Sequence, residues 1–400
     1  MAFDPRDRMN AGFCDLQGGL FGEVSKADVG DVVERLTREG VAMLSWADPF
    51  KPDRVVPEHV KRAAIAAIEG GAEHYTAPIG SSVLKEKIAK KLRLYNKLDV
   101  DAQRNILITP GSDAGLIFAM MPFIEPGDEV LVPDPSYPSN FLNPRLLGGK
   151  TVPVPLGGED ELDIAAMEAR VTPRTKMVVL THPNNPTTVV YDREELLALA
   201  DFVIRHDLIL VCDQAFEDMV YDGREFVTPA SLPGMFERTL TVCSISKGMA
   251  LSGYRVGYVV ASDKVMDVMY GSAVNVIGAT STASQAAAIA AFEDPSFMED
   301  YKAIFDRRRK AVYDMFNSVP GVKMRMPQSA FLSWVDVSAL GTSEEIVDYL
   351  VKDAKVSVND GNAYGSRGRG HLRVIHGCYW DDQTLYAALE RMQKSLQKLA

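Results

Sequence analysis

The sequence predicts an α/β protein in which a mainly parallel sheet lies between layers of helices. From Asn105 to Ala261, short apolar runs of strand length alternate with longer segments of helical periodicity. Such alternation is typical of parallel strands joined by crossover helices. With 400 residues, 46% of them hydrophobic, the chain can form a large core. After residue 294 a long charged helix is followed by mixed strands and helices, which predicts an α+β part.

The predicted elements follow from local patterns along the chain. Apolar runs bounded by Gly, Pro or Asp predict strands, and apolar residues at three- and four-residue spacing predict helices. The strands predicted before residue 294 are Asn105–Thr109, Glu129–Pro133, Met177–Thr181, Asp207–Cys212, Leu240–Cys243 and Val256–Ala261. The main helices are Glu58–Gly70, Ser82–Tyr95, Ser112–Phe123, Arg193–His206, Ser281–Phe292 and Pro295–Val319. Within the last, we expect the basic run Arg307–Lys310 to form a solvated face.

Composition and charge exclude several classes of protein. A net charge of −11 argues against nucleic acid or an anionic membrane as the main partner. Apolar runs stay well below the roughly 18 residues of a membrane span, and Met1–Arg8 lacks the apolar core of a signal peptide. The histidines lack metal-ligand spacing, so we expect no metal. Widely spaced cysteines predict reduced, buried thiols in a cytoplasmic protein, namely Cys14, Cys212, Cys243 and Cys378.

The stretch from Ser244 to Tyr258 carries the most informative motif. Ser244 precedes Lys247 by three residues, and Arg255 follows Lys247 by eight. A hydroxyl and a planar guanidinium both bind phosphate. A lysine that is desolvated or flanked by positive charge loses its proton and becomes nucleophilic. The combination suits a phosphorylated aldehyde that is held by its phosphate while the lysine amine forms a Schiff base.

This stretch resembles the cofactor-lysine motif of the class I/II pyridoxal-phosphate-dependent aminotransferases, the fold type I or aspartate aminotransferase superfamily. Further motifs occur in the family's order, among them Pro-Asn-Asn-Pro-Thr at residues 183–187, and the resemblance runs from Leu44 to the C-terminus. It implies a large cofactor-binding domain, residues 51–294. It also implies a smaller domain built from the N-terminal segment 1–50 and the C-terminal residues 295–400.

The resemblance further implies that the cofactor is pyridoxal 5′-phosphate. Lys247 would hold it and move the substrate's α-proton, and Asp213 would keep its pyridine nitrogen protonated; these are the expected catalytic residues. Asn185 would donate to its phenolic oxygen, and Tyr137 would stack on its ring. The residues expected at the phosphate are Ser112 and Asp113 through their backbone, Ser244, Arg255 and, from the neighbouring subunit, Tyr75.

For the substrate, the resemblance implies transfer of an amino group between an L-amino acid and a 2-oxo acid. Arg373 would grip the α-carboxylate through two parallel hydrogen bonds. Ala47 takes the place of a family glycine and, with Asn185, would contact the substrate. The family works as a homodimer with its sites at the subunit interface. Whether Arg367 and Arg369 bind a second carboxylate stays open, as does the identity of the amino acid.

Several residues depart from the family pattern. Phe216 replaces a family tyrosine that donates a hydrogen bond to the phenolic oxygen. The loss of this hydrogen bond should raise the pKa of the Schiff base. Thr188 replaces glycine, so the turn is either ordinary or strained, because a β-branched residue disfavours positive φ. Asp113 places a carboxylate near the phosphate, and we expect it to point away and cap its helix. Asp360 and Tyr364 replace a proline and a phenylalanine.

These departures keep other functions open. The same cofactor apparatus serves β-lyases, decarboxylases and cyclising enzymes. A non-catalytic effector module, as in transcription regulators with an aminotransferase-like domain, is a further alternative. It would need an appended DNA-binding domain, and the segment before Leu44 is too short and too acidic for one.

Overall fold

The structure, a computed structural model, describes Phe13 and residues 29–400. In that part of the chain the strands are β1 Ala42–Met43, β2 Ile106–Thr109, β3 Glu129–Asp134, β4 Lys150–Pro155, β5 Thr175–Thr181, β6 Ile209–Asp213, β7 Thr239–Ser244, β8 Gly257–Val260, β9 Lys323–Met324, β10 Leu332–Asp336, β11 Val356–Ser357, β12 Asn359–Asp360 and β13 His371–Ile375.

The α-helices of residues 29–400 connect and cover these strands. They are α1 Val29–Arg38, α2 Glu58–Glu69, α3 Ser82–Lys91, α4 Ser112–Met120, α5 Pro138–Leu146, α6 Ile164–Glu168, α7 Arg193–Arg205, α8 Asp263–Val276, α9 Thr282–Glu293, α10 Phe297–Asn317, α11 Ser343–Asp353 and α12 Asp382–Gln397.

Seven strands form one sheet in the order β2-β8-β7-β6-β5-β3-β4. Only β8 runs antiparallel to its neighbours, β2 and β7, and the other pairs are parallel. Strands such as β3 and β7 are buried along their whole length because apolar clusters cover both faces of the sheet. The predicted α/β fold with a mainly parallel sheet between helices is confirmed.

The C-terminal part contains a second, antiparallel sheet in the order β12-β13-β10-β9. The short strand β1 pairs in parallel with β11, so that Ala42 lies opposite Val356. Residues 42–43 are therefore attached to the C-terminal part of the chain. The division into domains at residues 50 and 294 stays a prediction.

The expectation of a solvated basic face on α10 is wrong for two of its four residues. Arg308 and Arg309 are fully buried, whereas Arg307 and Lys310 keep about half of their side chains exposed. Arg308 donates to Asp382 and to backbone carbonyl groups of residues 376–380. Arg309 donates to Asp306, Asp222 and the Pro327 carbonyl. Every nitrogen of the two buried guanidinium groups thus donates a hydrogen bond, as a buried charge needs partners to offset its lost hydration.

Three of the four cysteines, Cys212, Cys243 and Cys378, are free and buried; Cys14 lies outside the described residues. Within residues 29–400, no helix has both the length and the apolar character needed to cross a membrane. That part of the chain also contains no cluster of three or more metal-ligating side chains.

Thr188 adopts the left-handed backbone conformation, with φ 68°. Of the two alternatives that the sequence left open for this turn, the structure has the strained one. The turn is fixed from both sides, since the Thr188 amide donates to the Asn184 carbonyl and the Thr188 carbonyl accepts from the Ser329 hydroxyl. This backbone region costs a residue with a Cβ atom roughly 1–2 kcal/mol.

We expect Thr188→Gly to stabilise the cofactor-free protein by about 0.5–1 kcal/mol, because relief of strain exceeds the added flexibility of the unfolded chain. Urea unfolding measures this difference. The matched control is Thr187→Gly, since Thr187 has no positive φ and its hydroxyl and amide both donate to Asn184 Oδ1. The control should destabilise the protein, and equal losses in both variants would contradict the strain at Thr188.

Candidate active site

A cavity of about 450 Å³ lies at the carboxyl ends of the parallel strands. Asp213 ends β6, Asn185 follows β5, and Lys247 follows β7, so the topology brings their side chains to one edge of the sheet. α4, which begins after β2, and β13 of the second sheet complete the walls. The predicted site residues that line this cavity are Ala47, Ser112, Asp113, Tyr137, Asn185, Asp213, Lys247, Arg255 and Arg373.

Lys247 lines the cavity, and its amine donates to the Ala47 carbonyl oxygen at 2.5 Å. Burial, followed by the positive charge of Arg373, lowers the Lys247 pKa to about 8, and Arg255 acts in the same direction. Asp113 and Asp48 oppose the shift. Near neutral pH the protein therefore holds a lysine that loses its proton much more easily than one in water.

The Asp213 carboxylate is 4% exposed and faces the same cavity. It accepts from the Ala215 amide at 3.1 Å and from the Thr181 hydroxyl at 3.5 Å. Burial is the main cause that raises the Asp213 pKa to about 7. A cation in the cavity would stabilise the ionised form of this buried carboxyl group and so lower its pKa.

The start of α4 and Arg255 form a positively polarised cradle on one side of the cavity. Gly111 precedes α4 with φ 85°, and a side chain there would collide with the Arg255 guanidinium. At Gly257 a Cβ atom would lie 2.7 Å from the Ser112 amide nitrogen. The amide groups of the first helical turn have no partners within the helix, so they attract an anion together with Arg255.

Arg373 lines the cavity from β13 and is 1% exposed. Its guanidinium donates to Asn359 Oδ1 at 2.8 Å and to Asn185 Oδ1 at 3.1 Å, and it lies 4.9 Å from the centre of the Tyr364 ring. These acceptors are neutral, and within residues 29–400 Arg373 forms no ion pair with a carboxylate. The charge is therefore buried with hydrogen bonds but without a counterion.

The remaining predicted residues lie elsewhere. Ser244 does not line the cavity; its hydroxyl donates to Ser246 Oγ at 2.7 Å, and Ser246 does line the cavity. Tyr75 is 96% exposed and outside the cavity of its own chain. Arg367 and Arg369 line a separate, polar cavity beside β9 and β10.

Two residues of the site, Asp48 and Asn359, were not predicted from the sequence. Asp48 lines the cavity and accepts a hydrogen bond from the Ser252 hydroxyl, and Asn359 lies beside Arg373 through the pairing of β12 with β13. Asp48 directly follows the predicted residue Ala47, which was an available signal. Asn359 had none, because its role depends on strand register. Asp113 was expected to cap α4, but its carboxylate instead accepts from the Tyr137 hydroxyl at 3.1 Å.

Comparison with known proteins agrees with this geometry. Residues 45–392 match the family model described as aminotransferase class I and II. The chain is 34% identical to an aromatic-amino-acid aminotransferase 2 of Thermococcus litoralis over 90% of this chain and 92% of the relative. It is also 34% identical to an aspartate aminotransferase of Pyrococcus abyssi over 87% and 90% of the two chains.

Solved structures have the same fold. The aspartate aminotransferase of Rhizobium meliloti superposes with a TM-score of 0.88, at 31% identity, over 100% of both chains. The aromatic aminotransferase of Pyrococcus horikoshii superposes with a TM-score of 0.85, at 32% identity, over 92% of this chain and 100% of that one.

Proposed function

The chain belongs to the class I and II aminotransferase family and is a fold type I aminotransferase. On that premise we propose that the cavity residues described above carry out amino transfer between an L-amino acid and a 2-oxo acid. The family implies pyridoxal 5′-phosphate as the cofactor. We propose that it binds in the cavity between Lys247, Asp213 and Arg255. When bound, this group withdraws electrons from the substrate and so acidifies the hydrogen on its α-carbon.

The residues present fit this cofactor. The cradle formed by the start of α4 and Arg255 suits its phosphate, because the free amide groups of the first helical turn and a guanidinium both attract an anion, and a Cβ atom at Gly111 would displace that guanidinium. The Asp213 carboxyl, poised near neutral pH, suits a protonated ring nitrogen. Ser246, with Ser244 behind it, supplies a hydroxyl beside Lys247.

Lys247 is proposed to hold the cofactor covalently and, once released by the incoming amine, to carry the proton from the substrate α-carbon. Its lowered pKa supports both roles, because a neutral amine is needed first as a nucleophile and then as a general base. Asn185 and Tyr137 line the same cavity, where they would orient the cofactor ring.

The single observation that carries the substrate assignment is the unpaired buried charge of Arg373. A guanidinium without a counterion is costly in a buried site, and an incoming carboxylate would offset that cost with two parallel hydrogen bonds. We propose that Arg373 binds the α-carboxylate and that its hydrogen bonds to Asn185 and Asn359 fix its plane before the substrate arrives. Ala47, whose carbonyl already accepts from Lys247, adds a backbone contact.

We further propose a homodimer in the cytoplasm. The near-complete exposure of Tyr75 supports a role outside its own chain, at the phosphate of the neighbouring subunit. The buried free thiols are compatible with a reducing compartment.

The function is tested by the visible absorbance of the protein loaded with pyridoxal phosphate while single amino acids are added. Conversion to the pyridoxamine form by one amino acid, reversed by a 2-oxo acid, is the expected result and identifies the amino donor. Release of ammonia, pyruvate or carbon dioxide without that conversion would instead support a lyase or a decarboxylase.

Phe216 provides a second test of the cofactor's position. It lines the cavity beside Asp213 and packs against Phe331 with 5.6 Å between ring centres. In Phe216→Tyr the new hydroxyl should stabilise the cofactor's phenolate and lower the pH midpoint of the visible spectral change by about one unit, the equivalent of one hydrogen bond. Phe331→Tyr is the control, since Phe331 does not line the cavity. An unchanged midpoint in Phe216→Tyr would contradict the proposed placement.

A further inference from the structure

Asp113 introduces a negative charge where the proposed cofactor places its phosphate. It is the second residue of α4, whose first turn and Arg255 together form the cradle for an anion. A carboxylate at a helix start is favourable for the helix itself but repels a phosphate nearby. A carboxylate at this position is therefore explained only if it has another role in the site.

The structure pairs this carboxylate with Tyr137. The Tyr137 hydroxyl donates to Asp113 Oδ1 at 3.1 Å across the cavity wall. Burial, followed by the negative charge of Asp113, raises the Tyr137 pKa, so the phenol stays protonated and remains a donor. A hydrogen bond from a neutral hydroxyl to a carboxylate is stronger than one between neutral groups.

The backbone of Tyr137 is held independently of Asp113. Pro138 opens α5 directly after it, and the amide of Ser136 before it donates to the Tyr364 carbonyl at 2.9 Å. These contacts fix where the side chain begins, but the direction of its ring depends on the side-chain torsions. At the far end of the ring, the hydroxyl donates to Asp113 and also interacts with the Ser139 side chain, so the bond to Asp113 helps to fix that direction.

We propose that Asp113 is a positioning residue that holds the Tyr137 ring against the cofactor, at the expense of weaker phosphate binding. The inference rests on the proposed function, because it requires pyridoxal phosphate in this cavity. It also predicts that charge and geometry at residue 113 act separately. The charge opposes the phosphate, whereas the acceptor oxygen orients the ring.

Three variants separate the two effects in the full-length protein. Asp113→Asn keeps an acceptor oxygen and removes the charge, and Asp113→Ala removes both. Tyr137→Phe removes the phenolic hydroxyl, which donates to Asp113 and also interacts with the Ser139 side chain. Visible circular dichroism of the bound cofactor reports how the ring lies against it. We expect Asp113→Ala and Tyr137→Phe to change the spectrum alike, the double variant to add nothing further, and Asp113→Asn to keep the wild-type spectrum.

Inorganic phosphate, tested on the cofactor-free protein, measures the charge effect without the ring. Both substitutions at residue 113 should tighten phosphate binding by about five- to tenfold, and Tyr137→Phe should leave it unchanged. A wild-type spectrum in Asp113→Ala, or an Asp113→Asn spectrum as altered as that of Asp113→Ala, would overturn the proposal. A wild-type protein that gives no visible band with pyridoxal phosphate would overturn the proposed function and this inference with it.

Discussion

Replacement of Lys247 by alanine is expected to abolish turnover, with kcat lower by at least about 10⁴-fold. The variant loses both the nucleophile that holds the cofactor and the base that carries the α-proton. Steady-state assays with the amino donor found by the spectral test measure the loss. If the variant still completed multiple turnovers, the assignment of Lys247 as nucleophile and base would be wrong.

Two control variants sharpen this test. Lys247→Arg keeps a positive charge, but guanidinium does not deprotonate in proteins, so it should be as inactive as the alanine variant. Lys90→Ala removes an exposed lysine of α3, outside the site, and should keep full activity. An active Lys247→Arg protein would mean that charge, rather than a removable proton, is what the site requires.

Below pH 8, Lys247 should lower the free energy of unfolding of the cofactor-free protein. Because burial and Arg373 lower the Lys247 pKa from its usual value to about 8, the folded state disfavours the ammonium form. That penalty is complete below about pH 8 and disappears as the pH rises through the unfolded-state pKa. Lys247→Met should therefore be more stable than the wild type at pH 7 when cofactor is absent, and the advantage should vanish in alkaline solution.

The fold was predictable because its signals are local. Buried strands such as β6 and β7 read as apolar runs, and the acidic or polar residues that end them mark the edge of the sheet where a site forms. The order of motifs along the chain then identified most cavity residues. Short or exposed elements without an apolar pattern, such as β4 and α6, were not predicted.

The rest required tertiary contacts. Arg308 and Arg309 look solvated in a basic run, but Asp382 and Asp222 approach them from distant parts of the chain and make burial possible. The bond between Asp113 and Tyr137 joins residues far apart in sequence. Ser246 rather than Ser244 lies at the cavity because the hydroxyl directions depend on the turn after β7.

Asp213→Asn is expected to lower kcat by about 10²–10³-fold while stabilising the empty protein. The amide keeps an acceptor for the Ala215 amide but cannot carry the negative charge that would keep the cofactor nitrogen protonated. The substitution therefore removes the electrostatic contribution of Asp213 and leaves the shape of the site intact. Steady-state kinetics at saturating cofactor measure the loss, and an unchanged kcat would contradict the role of Asp213.

The pH dependence of stability gives the second half of this prediction. Burial raises the Asp213 pKa to about 7 in the folded state, above its usual value of 3.8. The unfolded chain therefore releases this proton first, and wild-type stability falls as the pH rises from about 4 to 7. Above pH 7 the cost reaches up to about 4 kcal/mol, which Asp213→Asn avoids.

The free energies of unfolding of the two cofactor-free proteins, measured in urea, should thus diverge as the pH rises from about 4 to 7 and differ most above pH 7. They should converge below about pH 4, where the wild-type carboxyl becomes protonated in both states. Saturating pyridoxal phosphate should reverse the order at pH 8, because only the wild type gains the attraction between carboxylate and ring nitrogen. A variant that is less stable than the wild type at pH 8 without cofactor would show that the Asp213 charge is already compensated in the empty site. The buried carboxyl would then be a structural group, and the protonation of the cofactor nitrogen would have to be explained by another residue.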